Sequence, residues 1–501
     1  VNKLHIFAVT MVAALGAVGV GLFREGGQAV FDETADASPV ARGAAPNFVI
    51  LIADDLGWND LGAYGNRQVH TPNIDRLAAS GLRFDNAFLT TSSCSASRAS
   101  ILTGKYPHSN GLVHLHQPLS PKETTLGLLL RQGGYHTEAV GKWGLGGEVK
   151  GQFSSNIEEK TGSSTERWIE RLQRRPKDTP FFFWLASRDP HPPHRPDKDS
   201  VAYRYDPDKL EIPAGLVNGP GTRREFAQYY REITRFDRDV GLVVAELEAQ
   251  GVLDDTLLIV MSDNGRPFPG AKENLYDDGI RTPFILYWPQ EIRQPGTRGQ
   301  LISMVDLAPT LLDLAGLPIP AEMQGYSFAG LLARPDGKIR DYIYAERNWH
   351  GLNYHERAIR SLDYLYKENQ FPLHGLCNPS PYAGTAAYKE LLQAYQSGQL
   401  EAARAECFAP IRATVELLDV DSDGNARQGN QAGDPDHAGT LETMAAALRQ
   451  WRRETGDFDY TPYVPPPGKH CIELPCTQRR AGPGSGPITP QSPGDPPAGG
   501  S

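Results

Sequence analysis

Four continuous apolar runs, each ending in charged or amide side chains, constrain the fold of this chain more than any other feature. Phe48 to Ala53 leads into Asp54-Asp55, and His136 to Val140 into Lys142. Pro180 to Ala186 leads into Asp189 and His191, and Leu257 to Met261 into Asp263-Asn264. Runs of this length without alternation are what strands need when helices cover both faces of a parallel sheet. Helical patterns are predicted between them, over Asn73 to Ser80, Thr124 to Gln132, Ser164 to Arg174 and Arg224 to Gln250, the last closed by Gly251. A further one, Met304 to Ala315, is closed by Gly316 and Pro318. This alternation predicts a doubly wound, three-layer α/β domain. In open sheets of that kind ligands sit beyond the carboxyl ends of the strands, so the polar residues ending the runs are the candidate site.

Those ends supply three carboxylates, Asp54, Asp55 and Asp263, and the amide oxygen of Asn264. Such a hard-oxygen set suits Ca²⁺ or Mg²⁺ and is poor for zinc. A lone Asp pair at a strand end is ordinarily a turn feature; two such ends in one chain argue for a cation. Between them in sequence stands Cys94, opening Cys94-Ser95-Ala96-Ser97-Arg98, with Leu102-Thr103-Gly104 and Pro107-His108 behind it. Alone, Cys94 reads as a small buried residue. Ser95 to Leu102 is helix-compatible, so Cys94 is expected to open a helix, whose N-terminus favours an anion.

In order along the chain, Asp54-Asp55, Cys94 to Arg98, Gly141-Lys142-Trp143 and Ser262-Asp263-Asn264-Gly265 resemble the motifs of the type I sulfatases. The resemblance runs from about Pro46 to Gly456. It implies an alkaline-phosphatase-like α/β fold and oxidation of Cys94 to formylglycine by a maturation enzyme. It also implies one divalent cation, Ca²⁺ in most members, held by Asp54, Asp55, Asp263, Asn264 and the oxygen on residue 94. Arg98 and the cation would ease ionisation of the aldehyde hydrate, the nucleophile on sulfur. Lys142 and Lys272 would neutralise the sulfate oxygens, and His191 would protonate the leaving atom. Where the family reads Gly-Lys-x-His, this chain has Gly141-Lys142-Trp143-Gly144, so the base for sulfate elimination is open; His108, His114 and His116 are candidates, each weighed against a plain loop histidine.

Asp189-Pro190-His191, the run from Ser262 to Tyr276 with Lys272, and Trp451-x-x-Glu454-Thr455-x-Asp457 look most like the sulfamidases, which remove N-linked sulfate from terminal glucosamine of heparan-type saccharides. An O-sulfatase, arylsulfatase or phosphonate or phosphodiester hydrolase on the same fold is the alternative. A non-catalytic protein binding sulfated glycans is a third reading, motivated by Gly144 and a segment between Lys142 and Pro180 that looks short for the family.

A net charge of -10 gives no support for nucleic-acid binding, so an anionic substrate requires a local basic pocket. Val1 to Phe23 carries Lys3 and then an apolar stretch, which reads as an export signal or an uncleaved membrane anchor. Export agrees with the cysteines: apart from Cys94 there are Cys377, Cys407, Cys471 and Cys476, which allow three pairings, Cys471 with Cys476 being the simplest local one. The divisions expected are a signal or anchor and spacer over 1–45, the catalytic domain over 46–336, a C-terminal subdomain over 337–478 and a disordered Pro/Gly-rich tail over 479–501. In that subdomain Arg357 to Tyr366 and Val415 to Val420 are predicted as antiparallel strands and Thr440 to Arg453 as a helix. Asp419-x-Asp421-x-Asp423-Gly424 resembles the start of an EF loop, but its twelfth position is Asn430, and a hairpin turn is the reading taken.

Overall fold

The computed structural model describes residues 45–159, 165–194, 203–377, 383–400, 406–409, 411–421, 425–426 and 429–458. Its larger sheet has eight strands: β1 (Asn47–Ala53), β2 (Leu82–Phe88), β3 (His136–Gly141), β4 (Ser155–Glu158), β5 (Phe181–Ala186), β6 (Thr256–Ser262), β7 (Phe284–Tyr287) and β8 (Gly296–Ser303), in the order β4-β3-β5-β1-β6-β7-β2-β8. The four apolar runs are β1, β3, β5 and β6, all mutually parallel where they pair. The sheet as a whole is mixed rather than purely parallel, because β7 runs antiparallel to both β6 and β2.

Alternation along β1 divides the core. Phe48, Ile50 and Ile52 pack with Ile101, Leu126, Leu130 and Leu311 on one face. Val49, Leu51 and Ala53 pack with Ile74, Leu77, Trp168, Phe226 and Ile233 on the other. Each large apolar side chain so buried contributes about 1.5–3 kcal/mol, and the helices that supply these partners form the two outer layers. The expected helices are present as Pro72–Ser80, Leu126–Gln132, Thr165–Arg174, Pro220–Ala249 and Leu307–Leu314, the last preceded by a 3-10 turn over Met304–Asp306. Thr125 caps Leu126–Gln132, accepting from the N–H of Leu128.

Register brings the site together. Ala53 pairs with Ser262 and Ile52 with Ala186, while Gly141 pairs with Ala186 from the far side of β5. The residues that follow β1, β3, β5 and β6 therefore emerge side by side at one sheet edge.

The smaller sheet is antiparallel, ordered β12-β11-β10-β9, with β9 (Ile343–Trp349), β10 (Asn353–Arg360), β11 (Tyr364–Asn369) and β12 (Val415–Asp419). Arg357 to Tyr366 is not one strand as expected: it ends β10, turns at Ser361-Leu362-Asp363 and begins β11. Ser361 Oγ makes the turn by accepting from the N–H groups of Asp363 and Tyr364. The helix Ala438–Thr455 covers one face through Met444, Leu448 and Trp451 on Ile359, Tyr366 and Leu417. The other face packs through Ile343, Ala345, Ala358 and Leu365 on Phe88 and Leu301 of the large sheet.

The described ends of the segment resembling an EF loop pair with each other as the arms of a hairpin do. Val420 bridges Ala426 antiparallel and the Asp421 N–H donates to the Asn425 carbonyl. Asn430 bonds the backbone of Val415 and Leu417 rather than offering a ligand. Cys377 and Cys407 form a disulfide. Cys471 and Cys476, the N-terminal apolar segment and the tail lie outside the described residues. Among those described, no helix is long and apolar enough to cross a membrane.

Candidate active site

Asp54 and Asp55 extend β1, and the first is fixed by its N–H donating to the Asp189 carbonyl beyond β5. Asp55 adopts φ 70°, sparsely populated for a non-glycine residue. Two bonds from the β6 end hold the turn: the Asp55 N–H donates to Asp263 Oδ1 at 3.1 Å and the Leu56 N–H to Ser262 Oγ at 2.9 Å. Gly265 follows because nothing larger fits: a Cβ there would lie 1.8 Å from the Asp278 carbonyl oxygen.

Cys94 is the first residue of the helix Cys94–Thr103, as expected, and that helix ends at Gly104 in the left-handed conformation. The thiol is 3.7 Å from Asp54 Oδ1 and 3.8 Å from Asp55 Oδ1. One turn on, Arg98 donates through Nε to Asp263 Oδ2 at 2.8 Å and through a terminal nitrogen to the Lys142 carbonyl at 2.9 Å. Lys142 Nζ donates to Asp54 Oδ1 at 2.5 Å, and Lys272 Nζ meets both oxygens of Asp55 at 2.6 and 2.7 Å. Lys272 rides on the loop after β6, which Phe268 anchors by stacking on Phe226 at 4.2 Å. His191 Nε2 lies 3.8 Å from Asp55 Oδ2 and is partly exposed. Its loop is fixed by Asp189, which takes a two-pronged bond from Arg235 at 2.7 and 2.6 Å.

The electrostatics follow from burial and close pairing. Burial pushes the Asp54 carboxyl up, but Lys142, His191 and Arg98 outweigh it and hold it below the usual range. Burial likewise acts on Asp55 and is outweighed chiefly by Lys272 and His191. Burial lowers the affinity of Lys142 and Lys272 for their protons, yet the facing carboxylates win and both are raised. Burial pushes the Cys94 thiol up to about 12, so unmodified it is a poor nucleophile at neutral pH.

Asp54, Asp55, Cys94 and Asp263 each offer a ligand atom within 4.8 Å of the others. Asp54 Oδ2 and Asn264 Oδ1 are buried without a hydrogen-bond partner among the described residues. Buried unpaired oxygens are costly, and two of them beside three carboxylates fit a hard divalent cation. Asp54, Asp55, Cys94, Arg98, Lys142, His191, Asp263, Asn264 and Lys272, named from the sequence for catalysis or metal binding, thus lie together here.

The candidates for the missing base fall differently. At Gly144, φ is 80° and a Cβ would meet Ser95 Oγ and Arg98 Cδ at 3.7 Å. His108 binds Glu346 of β9, its Nδ1 2.8 Å from Oε2. Burial lowers the His108 pKa, but Glu346 outweighs it and raises it overall; the ring belongs to the small sheet's ion network. His114 meets Trp349 edge-to-face, and burial lowers its pKa to about 4. The His116 N–H donates to Ser95 Oγ at 3.4 Å. A histidine that sequence reasoning missed, His350, comes from the β9–β10 turn, with Nδ1 2.9 Å from Ser93 Oγ.

The sulfatase family model matches residues 46–317, and a second model, described as "N-sulphoglucosamine sulphohydrolase, C-terminal", matches residues 271–368. The human N-sulphoglucosamine sulphohydrolase is 32% identical over 471 residues, spanning 83% of this chain and 92% of that protein. An ulvan-active sulfatase of Formosa agariphila is 27% identical, spanning 82% and 75%. A solved structure in complex with its substrate D-glucosamine-2-N,6-O-disulfate shares the fold, with TM-score 0.64 at 21% identity over 83% of this chain and 99% of that one. With the fold, the strand-edge cluster and these matches together, the chain belongs to the sulfatase family, most like its sulfamidase branch, and is an enzyme that hydrolyses sulfate esters or sulfamates.

Proposed function

We propose that this enzyme removes N-linked sulfate from a terminal glucosamine of heparan-type saccharides. The observation that carries this is the sulfamidase C-terminal match over residues 271–368, which begins beside Lys272 and runs through most of the small sheet. Export to the compartment where such saccharides occur, catalytic residues over 46–336 and a C-terminal subdomain over 337–478 belong to the same reading.

Asp54, Asp55, Asp263 and Asn264 would hold Ca²⁺ or Mg²⁺, the oxygen on residue 94 completing the set. Formylglycine made from Cys94 would supply a hydroxyl nucleophile, and a cation held by these residues would supply the positive charge that eases its ionisation. Arg98 fixes Asp263 and adds positive charge beneath residue 94. Lys142 and Lys272 set two ammonium groups at the cluster, where they neutralise the sulfate oxygens as charge builds on them. His191, facing the cluster from its rim, delivers a proton to the departing nitrogen. Three carboxylates, Asp54, Asp55 and Asp263, stand against three cations, Arg98, Lys142 and Lys272. A bound divalent ion therefore leaves net positive charge to receive the anionic substrate.

The test is sulfate release by protein produced with a maturation system, from N-sulfoglucosamine, a 6-O-sulfated glucosamine, an aryl sulfate and a phosphodiester in parallel. The reading expects N-sulfoglucosamine to be turned over fastest. Fast release from the O-sulfate or the aryl sulfate, with none from the sulfamate, would transfer the assignment to the O-sulfatases.

A further inference from the structure

The two residues that follow Lys272 are held from the small sheet. Glu273 adopts φ 73°, in the left-handed region that side-chain-bearing residues rarely occupy, so the loop keeps this shape only because its surroundings impose it. Its N–H is bonded to Ser92, 2.9 Å from Oγ and 3.1 Å from the carbonyl oxygen. Its carboxylate is bonded by Arg347 of β9, with Nη2 donating to Oε2 at 3.3 Å. The same guanidinium donates through Nη1 to Asn274 Oδ1 at 3.3 Å. The Asn274 amide nitrogen donates in turn to the carbonyl oxygens of Lys272 at 3.3 Å and Ala271 at 3.4 Å. Arg347 thus reaches the backbone of Lys272 through one intervening side chain.

All four residues in this chain of contacts, Lys272, Glu273, Asn274 and Arg347, are buried. Arg347 is itself fixed from behind. It faces Glu356 across the β9–β10 ladder, with Nη1 donating to Oε1 at 3.2 Å. Its guanidinium carbon lies 3.4 Å from the centre of the Tyr354 ring, a cation over an aromatic face. Glu356 is held in turn by Arg412 at 2.6 Å. One planar fork therefore bonds Glu273, Asn274 and Glu356 together, a geometry that a lysine ammonium does not reproduce. Charge supplies a second argument. Glu273 is the carboxylate beside Lys272 in sequence, while Lys272 Nζ bonds both oxygens of Asp55 at 2.6 and 2.7 Å. With Arg347 matching Glu273, the Lys272 ammonium is left to the strand-edge cluster.

We propose that Arg347 is a positioning residue for Lys272: by holding Glu273 and Asn274 it keeps the Lys272 ammonium at the strand edge, so that the C-terminal subdomain sets part of the sulfate site. This rests on the sulfatase reading of that site. Arg347 touches no reacting atom. It acts through the loop, and a misplacement of about 1 Å in a group that meets the substrate can cost about 100-fold in rate.

The test is a double-mutant cycle of Arg347→Met with Lys272→Met, read as kcat/KM on the sulfated substrate that the wild type turns over fastest. Mass spectrometry across residue 94 sets each preparation to the same aldehyde content. Arg347→Met alone is expected to lower kcat/KM by about 100-fold, and to lower it little further in the Lys272→Met background, where no ammonium is left to misplace. Arg347→Lys, which returns a cation to Glu273, is expected to recover part of the loss. A readout independent of turnover is the crystal structure of Arg347→Met beside that of the wild type: Lys272 Nζ is expected to move from Asp55 by about 1 Å or more. Lys272 Nζ unmoved, equal fold losses on both backgrounds, or wild-type kcat/KM in Arg347→Met overturns the positioning role alone. Where Arg347→Met does not fold, Arg347→Lys enters the same cycle and the same crystallography. Failure of both to fold also overturns the assignment, by making Arg347 a residue of the fold only. Wild-type protein converted at residue 94 yet inert toward every sulfated sugar and aryl sulfate overturns the sulfatase reading, and this role with it.

Discussion

The strand-edge cluster of the large sheet and the ion network of the small sheet use the same kinds of side chain to different ends. Among the described residues of the small sheet and its covering helix, the buried carboxylates Glu346, Glu356, Glu416 and Asp457 all have cationic partners. Arg357 grips both oxygens of Asp457 at 2.7 Å, Arg412 donates to Glu356 at 2.6 Å, and Glu346 holds the N–H and ring of His108. His108, Glu346 and Asp457 even have the spacing of a metal site, but Arg357 already neutralises it. At the strand edge, Asp54 Oδ2 and Asn264 Oδ1 remain unmatched although buried. The lesson is that ligand spacing alone does not mark a functional site. Spacing together with acceptors that the protein itself leaves unsatisfied does.

The largest effect that sharpens this contrast is Cys94→Ala, expected to reduce sulfate release to background while the melting temperature changes little. Next, Arg357→Ala should cost about 3–5 kcal/mol of stability by stranding Asp457, read by denaturant unfolding, while the protein that remains folded keeps its kcat. A comparable loss of kcat at native temperature would break the division into a working cluster and a holding one. Third, Ca²⁺ at 100 times its dissociation constant should add about 2.7 kcal/mol, read as a rise in melting temperature. Asp263→Asn should abolish that rise and Glu346→Gln should leave it intact; the reverse would put the ion in the small sheet.

The smallest effect is on acid stability. Burial pushes Asp457 up, but Arg357 outweighs it and holds it at about 2. Glu356 is held well below its usual range, burial being outweighed by Arg412, Lys367 and Arg347. Because both are depressed, their contribution is full above the unfolded carboxyl values near ~4 and is lost as pH falls through the folded ones. The melting temperature should therefore drop between about pH 4 and about pH 2, with a shallower drop in Arg357→Ala. Equal slopes would mean that the network carries none of the acid sensitivity.

The same contrast explains what the sequence revealed. Asp54-Asp55, Lys142, His191 and Asp263-Asn264 were legible because each lies within a few residues after an apolar run, and parallel register places such residues side by side. Strands β2, β7 and β8 were not, since Arg83, Asp85 and Asn86 interrupt β2, β7 has only four residues, and β8 begins Gly-Thr-Arg-Gly-Gln. The β10–β11 hairpin read as one strand because alternation continues on both sides of Ser361. His350 left no signal at all: a turn in the small sheet carries it to Ser93, and no local spacing encodes that contact.

The central claim is that residue 94, once oxidised and set in the strand-edge cluster, carries the hydrolysis. It is tested most directly by measuring the aldehyde fraction at residue 94 by mass spectrometry, alongside sulfate release, across preparations matured to different extents. The account predicts activity proportional to the aldehyde fraction and none in Cys94→Ala. Sulfate release at full rate from protein whose residue 94 is still a thiol would contradict it.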